Sequence, residues 1–516
     1  MKKIIALLAG LILFQVAFAQ DETDALRYSY LTPGGTARMQ AVGGAGISLG
    51  GDASNMDMNP AGIGLFKTND FSFSPGFRTL NTQADYLGKS ESDARGNLDI
   101  QQFGLIFASN KRKKSNSRWE NVTFGIGLNR LANFNRHIFY QGVNSSTSYS
   151  DNYLLKLQGE TSYDNATKQY PFGVSQAVLT GLVGPEQDNN NQPTGNWFSI
   201  VPVTSGITQS NTISTKGGLN EYSFAVAGNY ANKFYLGLSL NVPSIKYDRT
   251  KTFTETNTND KDSPLDFYDV REKLHTDGAG INGKIGVIYA INPMVRIGGA
   301  FHSPSYFSMH DTYTTTLTNH TSDQGTLTST TEDITGGYPG SYDYSLTTPW
   351  RAMGGISFIF GTTPDVSQQH GFLTLDYEFV NYASARYHFN SSSATASDKA
   401  LANQLNSTIS TLYKGASNLR VGGELKFDIV AVRAGVAWMG SPYANSDIDG
   451  DQMRYSAGVG IRNRGFYADL AYIYAIQKGI NQPYIIADNN SGLHSPDPAT
   501  LVGNASNIVL TIGFKL

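Results

Sequence analysis

The sequence predicts an all-β fold, a transmembrane antiparallel barrel, from two observations: alternating residues within segments, and alternating lengths of the connections between them. In one segment Ser223, Ala225, Ala227 and Asn229 alternate with a mainly apolar set, which is Tyr222, Phe224, Val226, Gly228 and Tyr230. After a three-residue turn the pattern resumes with Phe234, Leu236, Leu238, Leu240 and Val242. Period-two alternation puts one set on each face of a strand. In a membrane barrel the apolar set contacts lipid and the small or polar set lines the lumen.

The N-terminus carries an export signal. Lys2 and Lys3 precede an apolar run over residues 4–18, and Ala17-Phe18-Ala19 provides the small-x-small cleavage pattern. We therefore expect residues 1–19 to be a signal peptide and the mature chain to begin at Gln20. The alternative, an uncleaved anchor, fits less well because the apolar run is short for a spanning helix. Export and alternation together predict the outer membrane of a two-membrane bacterium.

Composition agrees with a membrane barrel. Charged residues make up 16% of the 516 residues, below the roughly 25% of soluble proteins. The 29 tyrosines and 27 phenylalanines suit the aromatic girdles of such barrels. The absence of cysteine excludes disulfides and thiolate metal sites. A net charge of −3 gives no reason to expect nucleic acid as a partner.

The barrel strands can be counted, since each crossing takes roughly 9–11 residues. The pattern predicts fourteen strands, at 69–78, 98–109, 119–142, 220–231, 233–256, 267–291, 294–318, 340–360, 370–390, 415–428, 430–443, 451–463, 465–480 and 505–516. Connections after the even strands are short and most of those after the odd strands are long, which predicts periplasmic turns, outer loops and both termini in the periplasm. A soluble sandwich could alternate similarly but would not explain this loop bias.

Several motifs resemble those of the FadL/TodX family of outer-membrane transport proteins for hydrophobic compounds. The most specific is Asn59-Pro60-Ala61-Gly62, in a Gly-, Ala- and Ser-rich segment before the first strand. The other matching stretches are residues 37–46, 52–53, 295–298, 302–304, 348–351, 376–379, 419–424, 432–435 and 469–472. The resemblance covers most of the mature chain.

The resemblance implies a fourteen-stranded barrel (69–516) plugged by an N-terminal hatch (20–68). A hydrophobic ligand would enter from outside, bind within and leave sideways through a gap in the wall. The hatch motif would comprise Arg38, Asn59, Pro60, Ala61 and Gly62. Pro60 fixes its own φ and drives Asn59 to an extended shape, and the Asn59 amide can donate to and accept from loose backbone. Without the resemblance, these residues would better suit a plain turn before the first strand.

Two outer-loop segments have apolar residues at near-helical spacing and are candidate ligand contacts. The first, in the long second outer loop, contains Phe172, Val174, Val178, Leu179 and Leu182. The second is a helix with Ser397 as its predicted cap and Leu401, Leu405 and Ile409 on one face. Either could form a ligand entry groove. Alternatively, both helices cover the barrel mouth with their apolar faces turned inward.

The sequence predicts no catalytic residue, no metal site and no cofactor. The eight histidines are scattered, and His302 and His310 lie too far apart along one strand to chelate one metal. The leading prediction is passive uptake of a long-chain fatty acid or aromatic compound by an outer-membrane barrel that contacts lipid. A carrier or attachment platform for secreted proteins is the alternative, and haem uptake is a weaker one. The oligomeric state is left open, with a monomer expected.

Overall fold

The computed structural model describes residues 22–110, 117–188, 193–361, 370–389, 395–486 and 494–516. The predicted signal peptide lies outside these residues. The strands are β1 Asp70–Tyr86, β2 Lys89–Asn110, β3 Trp119–Asn133, β4 Arg136–Asn144, β5 Val183–Gln187, β6 Pro193–Ser199, β7 Ile207–Tyr230, β8 Phe234–Asn257, β9 Leu265–Ala290, β10 Val295–His302, β11 Tyr306–Thr321, β12 Gly325–Thr330, β13 Gly340–Thr347, β14 Arg351–Phe360, β15 Gly371–Asn381, β16 Arg386–His388, β17 Gly415–Phe427, β18 Val430–Met439, β19 Gln452–Asn463, β20 Phe466–Asn481 and β21 Ala499–Lys515.

The α-helices are short, with one exception. They are α1 Glu22–Ser29, α2 Ala37–Ala41, α3 Asn55–Met58, α4 Asp151–Leu157, α5 Tyr163–Lys168, α6 Val174–Leu179, α7 Thr331–Thr335 and α8 Ala396–Leu412. Single 3₁₀ turns occupy Pro60–Leu65, Val203–Ser205 and Tyr382–Ser384. Among the described residues, no helix has the length and apolar character needed to cross a bilayer.

Fourteen antiparallel strands close into a barrel, as the sequence predicted. Their order around the wall is β1, β2, β3, β7, β8, β9, β10, β14, β15, β17, β18, β19, β20 and β21. Pairing of β21 with β1 closes the cylinder. Four wall strands are broken, and each has a second segment on the other side of its break. The pairs are β3 with β4, β10 with β11, β14 with β13, and β15 with β16.

The two faces of the wall differ as the alternation predicted. On β7, Phe224 and Val226 are exposed while Ser223, Ala225 and Ala227 are buried inside. The same alternation produces an exposed apolar belt around the exterior, which includes Phe124, Ile126, Leu238, Leu240, Ile285, Val287, Leu373, Leu375, Val432 and Leu470. An apolar exterior over a polar interior is the arrangement a bilayer requires.

The structure corrects several predicted strand boundaries. The first hairpin turns tightly at Leu87-Gly88, so β1 and β2 replace the long loop predicted between residues 78 and 98. Strand β7 begins at Ile207, thirteen residues before the predicted start at 220. The third, seventh, eighth and ninth predicted strands were expected to be continuous, but each is broken. Beyond the apolar belt the strands continue with mostly polar residues on both faces. A prediction that counts only apolar alternation assigns such segments to loops.

The cap predicted for α8 is also wrong. Thr395 caps the helix, since its side chain accepts from the Asp398 amide at 3.2 Å and the Asp398 carboxylate accepts from the Thr395 amide at 2.7 Å. This reciprocal capping box satisfies two backbone donors. Ser397 lies inside the first turn of the helix.

Candidate functional site

The N-terminal residues fill the lumen as a hatch, and Asn59 ties that hatch to itself and to the wall. The Asn59 amide nitrogen donates to the carbonyl oxygen of Ile47 at 2.6 Å and to that of Val287 in β9 at 3.2 Å. Its amide oxygen accepts from the Ala61 backbone amide at 3.1 Å. Pro60 begins the following 3₁₀ turn, where its missing N–H costs no hydrogen bond. Asn59 therefore satisfies three backbone groups in a buried place.

Inward-facing glycines of the wall make room for this motif. A Cβ placed on Gly286 would lie 1.8 Å from the Asn59 amide oxygen, and one on Gly237 would lie 2.2 Å from the Pro60 carbonyl carbon. No side chain fits there without displacing the hatch. In the sequence, the alternation shows only that these positions carry small inward-facing residues. It does not predict that the hatch backbone packs against them.

A buried ionic network fixes the other end of the hatch. The Arg38 Nε lies 3.1 Å from the Glu424 carboxylate on β17. Arg433 on β18 lies 2.6 Å from the same carboxylate and 2.6 Å from that of Asp469 on β20. Removing one member of such a set strands a buried charge, which costs roughly 3–5 kcal/mol. Arg38 thus joins the hatch to Glu424 of β17, which Arg433 connects in turn to β18 and β20.

A cavity with about 790 Å³ of empty space, partly open to solvent, separates the hatch from the wall. Its hatch side includes residues 28–29 and 31–34, together with Asp57 and Met58. Its wall side includes Leu131, Leu219, Phe307 and Met353, and the polar groups at two strand breaks, which are Ser303, Ser305 and Thr348. The lining is therefore mixed, whereas a greasy ligand by itself favours a wholly apolar pocket.

The charges in the cavity are internally paired. Lys284 contacts both Asp57 of the hatch and Glu221 of β7. Glu378 contacts Arg351 at 2.7 Å and also contacts Arg420. Three cations and three carboxylates thus share the lining. The His302 Nε2 lies 3.0 Å from the Met58 carbonyl oxygen, to which it donates.

A large apolar cluster lies beside this cavity. It is formed by Ala25 and Tyr28 of α1, inward wall residues and α8, and includes Leu131, Leu219, Ile245, Tyr247, Phe307, Met309, Tyr344, Leu346, Tyr387, Leu405 and Ile409. The start of the hatch therefore occupies the most apolar part of the lumen. Tyr28, Leu131, Leu219 and Phe307 belong to both the cluster and the cavity lining.

The wall is interrupted beside the cavity. Pairing of β2 with β3 ends at Gln102 and Asn129. Beyond that pair, residues 89–100 of β2 pair only with β1 among the described strands, and β4 pairs only with β7. We call this unpaired interval the wall gap. It lies between β2 and the β3–β4 strand and extends from Gln102 and Asn129 to the loop end of the barrel. The hatch reaches it, because the Thr32 amide donates to the Leu131 carbonyl oxygen at 3.1 Å.

Side chains bridge the wall gap in place of backbone. The Asp99 carboxylate of β2 accepts a hydrogen bond from the side-chain amide of Asn133 at 2.6 Å. The same carboxylate lies 3.2 Å from the Arg130 Nε. Farther along, Glu91 accepts from Gln141 at 2.9 Å. These side-chain contacts do not form a continuous backbone ladder. Opening the wall here would therefore break fewer backbone hydrogen bonds than opening it between two fully paired strands.

The predicted loop residues lie away from the cavity. Val174, Val178 and Leu182 are buried in the loop's own apolar cluster, and Phe172 packs on Tyr313 with ring centroids 5.5 Å apart. Leu179 is 45% exposed. In α8, Leu405 and Ile409 belong to the cluster beside α1, and Leu401 packs against it. The cavity residues come from wall strands and hatch, which periodicity alone could not bring together.

A buried carboxylate anchors the second outer loop. Glu255, near the loop end of β8, accepts from Ser148 at 2.5 Å, the Tyr149 amide at 3.0 Å, Gln209 at 2.7 Å and Tyr268 at 2.7 Å. Burial outweighs these donors and raises the pKa of Glu255 to about 7. In the described part of the chain, no group of three or more His, Asp or Glu side chains is arranged to hold a metal ion.

The fold has close counterparts among solved structures. The chain is similar to a Pseudomonas aeruginosa FadL homologue, with a TM-score of 0.54 and 13% identity over 94% of this chain and 99% of that one. It is also similar to the Pseudomonas putida toluene transporter TodX, with a TM-score of 0.51 and 10% identity over 94% and 99%. No family model matches the sequence, and no curated protein matches it. The chain therefore shares its barrel fold with the FadL homologue and TodX, and the resemblance predicted from its motifs is confirmed at the level of the fold.

Proposed function

We propose that this protein is an outer-membrane channel for passive uptake of a hydrophobic small molecule, such as a long-chain fatty acid or an aromatic compound. The ligand enters at the loop end, occupies the cavity beside the apolar cluster around α1 and leaves sideways through the wall gap. The observation that carries the proposal is the lost pairing between β2 and the β3–β4 strand beside an internal cavity.

Physical chemistry favours a sideways exit. Moving apolar surface into a dry environment gains roughly 25 cal/mol per Å², so a greasy solute gains little by entering the water beyond the hatch. The gap opens beside Leu98, which is 75% exposed on the lipid-facing side of β2. A ligand leaving there passes from an apolar cluster to acyl chains. The FadL homologue and the toluene transporter share this fold, which supports the same class of substrate.

A reversible crosslink across the gap tests the route. The chain has no cysteine, so Asp99→Cys with Asn133→Cys supplies one reactive pair across the gap. The matched control is Ala434→Cys with Ala457→Cys, which are opposite each other on the intact β18–β19 ladder. Both variants are treated with a short, reducible bis-thiosulfonate crosslinker in cells that lack their own uptake barrel. Uptake of labelled long-chain fatty acid and labelled toluene is then measured.

We expect crosslinking of the gap pair to lower uptake at least fivefold, with recovery on reduction, and crosslinking of the control pair to leave it unchanged. Unchanged uptake across a fully crosslinked gap would show that the exit lies elsewhere. If the unmodified protein takes up neither compound faster than cells without it, the transport function itself is wrong.

A further inference from the structure

The sheet formed by β7, β8, β9, β11 and β12 continues far beyond the apolar belt. The last exposed apolar residues of the belt on these strands are Val242, Ile281 and Tyr306. Strand β8 runs on from there to Asn257, about 50 Å along the strand at roughly 3.3 Å per residue. The second outer loop packs on the inner face of this extension, where Tyr268, Val270 and Leu317 join its apolar cluster. On the outward face, the side chains of these strands are at least partly exposed.

That outward face is composed mainly of hydroxyl groups and is called the hydroxyl face below. Its members on β7, β8, β11 and β12 are Thr208, Ser210, Thr212, Ser214, Thr250, Thr252, Thr254, Thr256, Thr312, Thr314, Thr316, Thr318, Thr326, Thr328 and Thr330, all at least partly exposed. Cross-strand register aligns them in rows. One row reads Thr212, Thr252, Arg271, Thr316 and Thr330, with neighbouring strands roughly 4.8 Å apart.

Charged residues lie on this face at its lipid end and along its central strand, β9. Beside the belt, His275 lies 2.6 Å from Asp248 and 2.6 Å from Asp277, and His310 lies 2.7 Å from Asp343. The exposed side chains of Lys216 and Lys246 belong to the same two rows. Farther out, the charged residues on this face are Asp269, Arg271 and Lys273 of β9, and the positions on either side of them carry hydroxyls.

A flat aromatic pair lies at the far end of the face. Phe267 on β9 stacks against His320 on β11, with ring centroids 5.4 Å apart and planes 22° from parallel. Sugar rings present C–H groups on one face and hydroxyls around the edge. A planar ring pair next to rows of donors and acceptors offers a partner for both.

We propose that the hydroxyl face binds the saccharide of the outer-leaflet glycolipid, lipopolysaccharide, in the membrane around the barrel. The inference rests on the proposed outer-membrane location but not on transport. A lipid whose acyl chains contact the belt at Val242 and Ile281 must carry its sugars along this face, because the face continues directly from the belt. Each Thr or Ser hydroxyl can both donate and accept, as sugar hydroxyls do.

The composition argues against a merely hydrated surface. Exposed sheet faces are usually kept soluble by charged side chains, Lys especially. Here the outer rows of four strands carry hydroxyls, and the charges of those rows are confined to β9. Further mixed charges lie next to the lipid, where the glycolipid carries its phosphates. On β7, β8 and β11 the order of side chains along the strand therefore follows the order of groups along the ligand.

The test measures binding of rough lipopolysaccharide to the detergent-purified full chain by native mass spectrometry. The main variant is Thr252→Val with Thr254→Val and Thr316→Val, because valine keeps the shape and strand preference of threonine and removes the hydroxyl. The same three positions changed to serine keep the hydroxyls, and Thr79→Val removes an exposed hydroxyl from β1, outside the face. Retained heat-modifiable mobility on gels shows that each barrel is folded.

We expect saturable binding, at least tenfold weaker in the triple valine variant and within twofold of the original protein in the serine and Thr79→Val variants. Phosphatidylglycerol should not compete, and the deacylated core oligosaccharide should. Unchanged binding in a folded triple valine variant would overturn the proposal. Equal competition by phosphatidylglycerol would overturn it in favour of simple lipid contact, and equal binding of dextran in favour of a receptor for soluble glycans.

Discussion

At the scale of single residues, the interior is built on close approach between hatch backbone and wall backbone. Gly286 and Gly237 leave room for the Asn59-Pro60 peptide, and Gly435 leaves room for the hatch at Gly43. A Cβ placed on Gly435 would lie 2.2 Å from the Gly43 backbone nitrogen. Glycine on these strands is therefore a packing requirement. Its usual cost in a strand is offset by hydrogen bonds such as that from Asn59 to Val287.

Gly286→Ala tests this packing. The new Cβ would overlap the Asn59 amide oxygen, so we expect the free energy of unfolding to fall by about 1–3 kcal/mol, as for other overpacked interiors. Gly354→Ala is the matched control, because a Cβ there meets open space. Urea denaturation in lipid–detergent micelles, followed by tryptophan fluorescence, measures both. Equal stability of the two variants would contradict the proposed contact.

At the scale of elements, the breaks in four strands define the site. Strand β3 ends at Asn133 and β4 begins at Arg136, and the other breaks fall at residues 303–305, 348–350 and 382–385. Two of them contain a proline, Pro304 and Pro349, which cannot donate to a ladder. Ser303, Ser305, Thr348 and Pro349 line the cavity. The breaks thus place the hydroxyl side chains of Ser303, Ser305 and Thr348 at the cavity surface.

The packing of the second outer loop should depend on pH through Glu255. Its pKa is raised from an ordinary value of 4.5 to about 7. The Glu255 carboxyl loses its proton at a lower pH when the loop is unpacked than when it is packed. The free energy that favours packing is therefore complete below about pH 4.5 and falls as pH rises towards 7. Hydrogen exchange of residues 148–157, corrected for intrinsic rates, should show several-fold less protection at about pH 8 than at about pH 5. Glu255→Gln should remove most of this dependence; an unchanged pH profile in that variant would contradict it.

At the scale of the whole molecule, the hatch is part of the core of the barrel. Its Met56 and Ile63 form one buried cluster with Ile106, Ala225 and Ala227 of the wall. Its Met39, Val42, Ile47 and Leu49 form another with Ala300, Met353 and Phe372. Together with the ionic network at Arg38, these contacts make the lumen a packed interior rather than an aqueous pore.

Deletion of residues 22–66 should therefore convert the plugged barrel into an open channel. We expect steady ion conductance in planar bilayers at least tenfold above that of the intact chain, since a barrel of this size encloses a wide lumen once it is emptied. Heat-modifiable mobility confirms that the deleted form is folded. A folded but non-conducting deletion variant would show that the outer loops, and not the hatch, close the lumen.

The sequence by itself determined the barrel, its strand number and its lipid-facing side, because the face on which each residue lies follows from position along a strand. The Asn59-Pro60 motif likewise predicted the hatch through its resemblance to known sequences. Only the tertiary structure decided which residues meet in the lumen, where Asp57 contacts Lys284 across 227 positions of sequence. It also decided where the wall is unpaired and how the threonine rows align, because cross-strand register depends on partners that alternation along one strand does not specify.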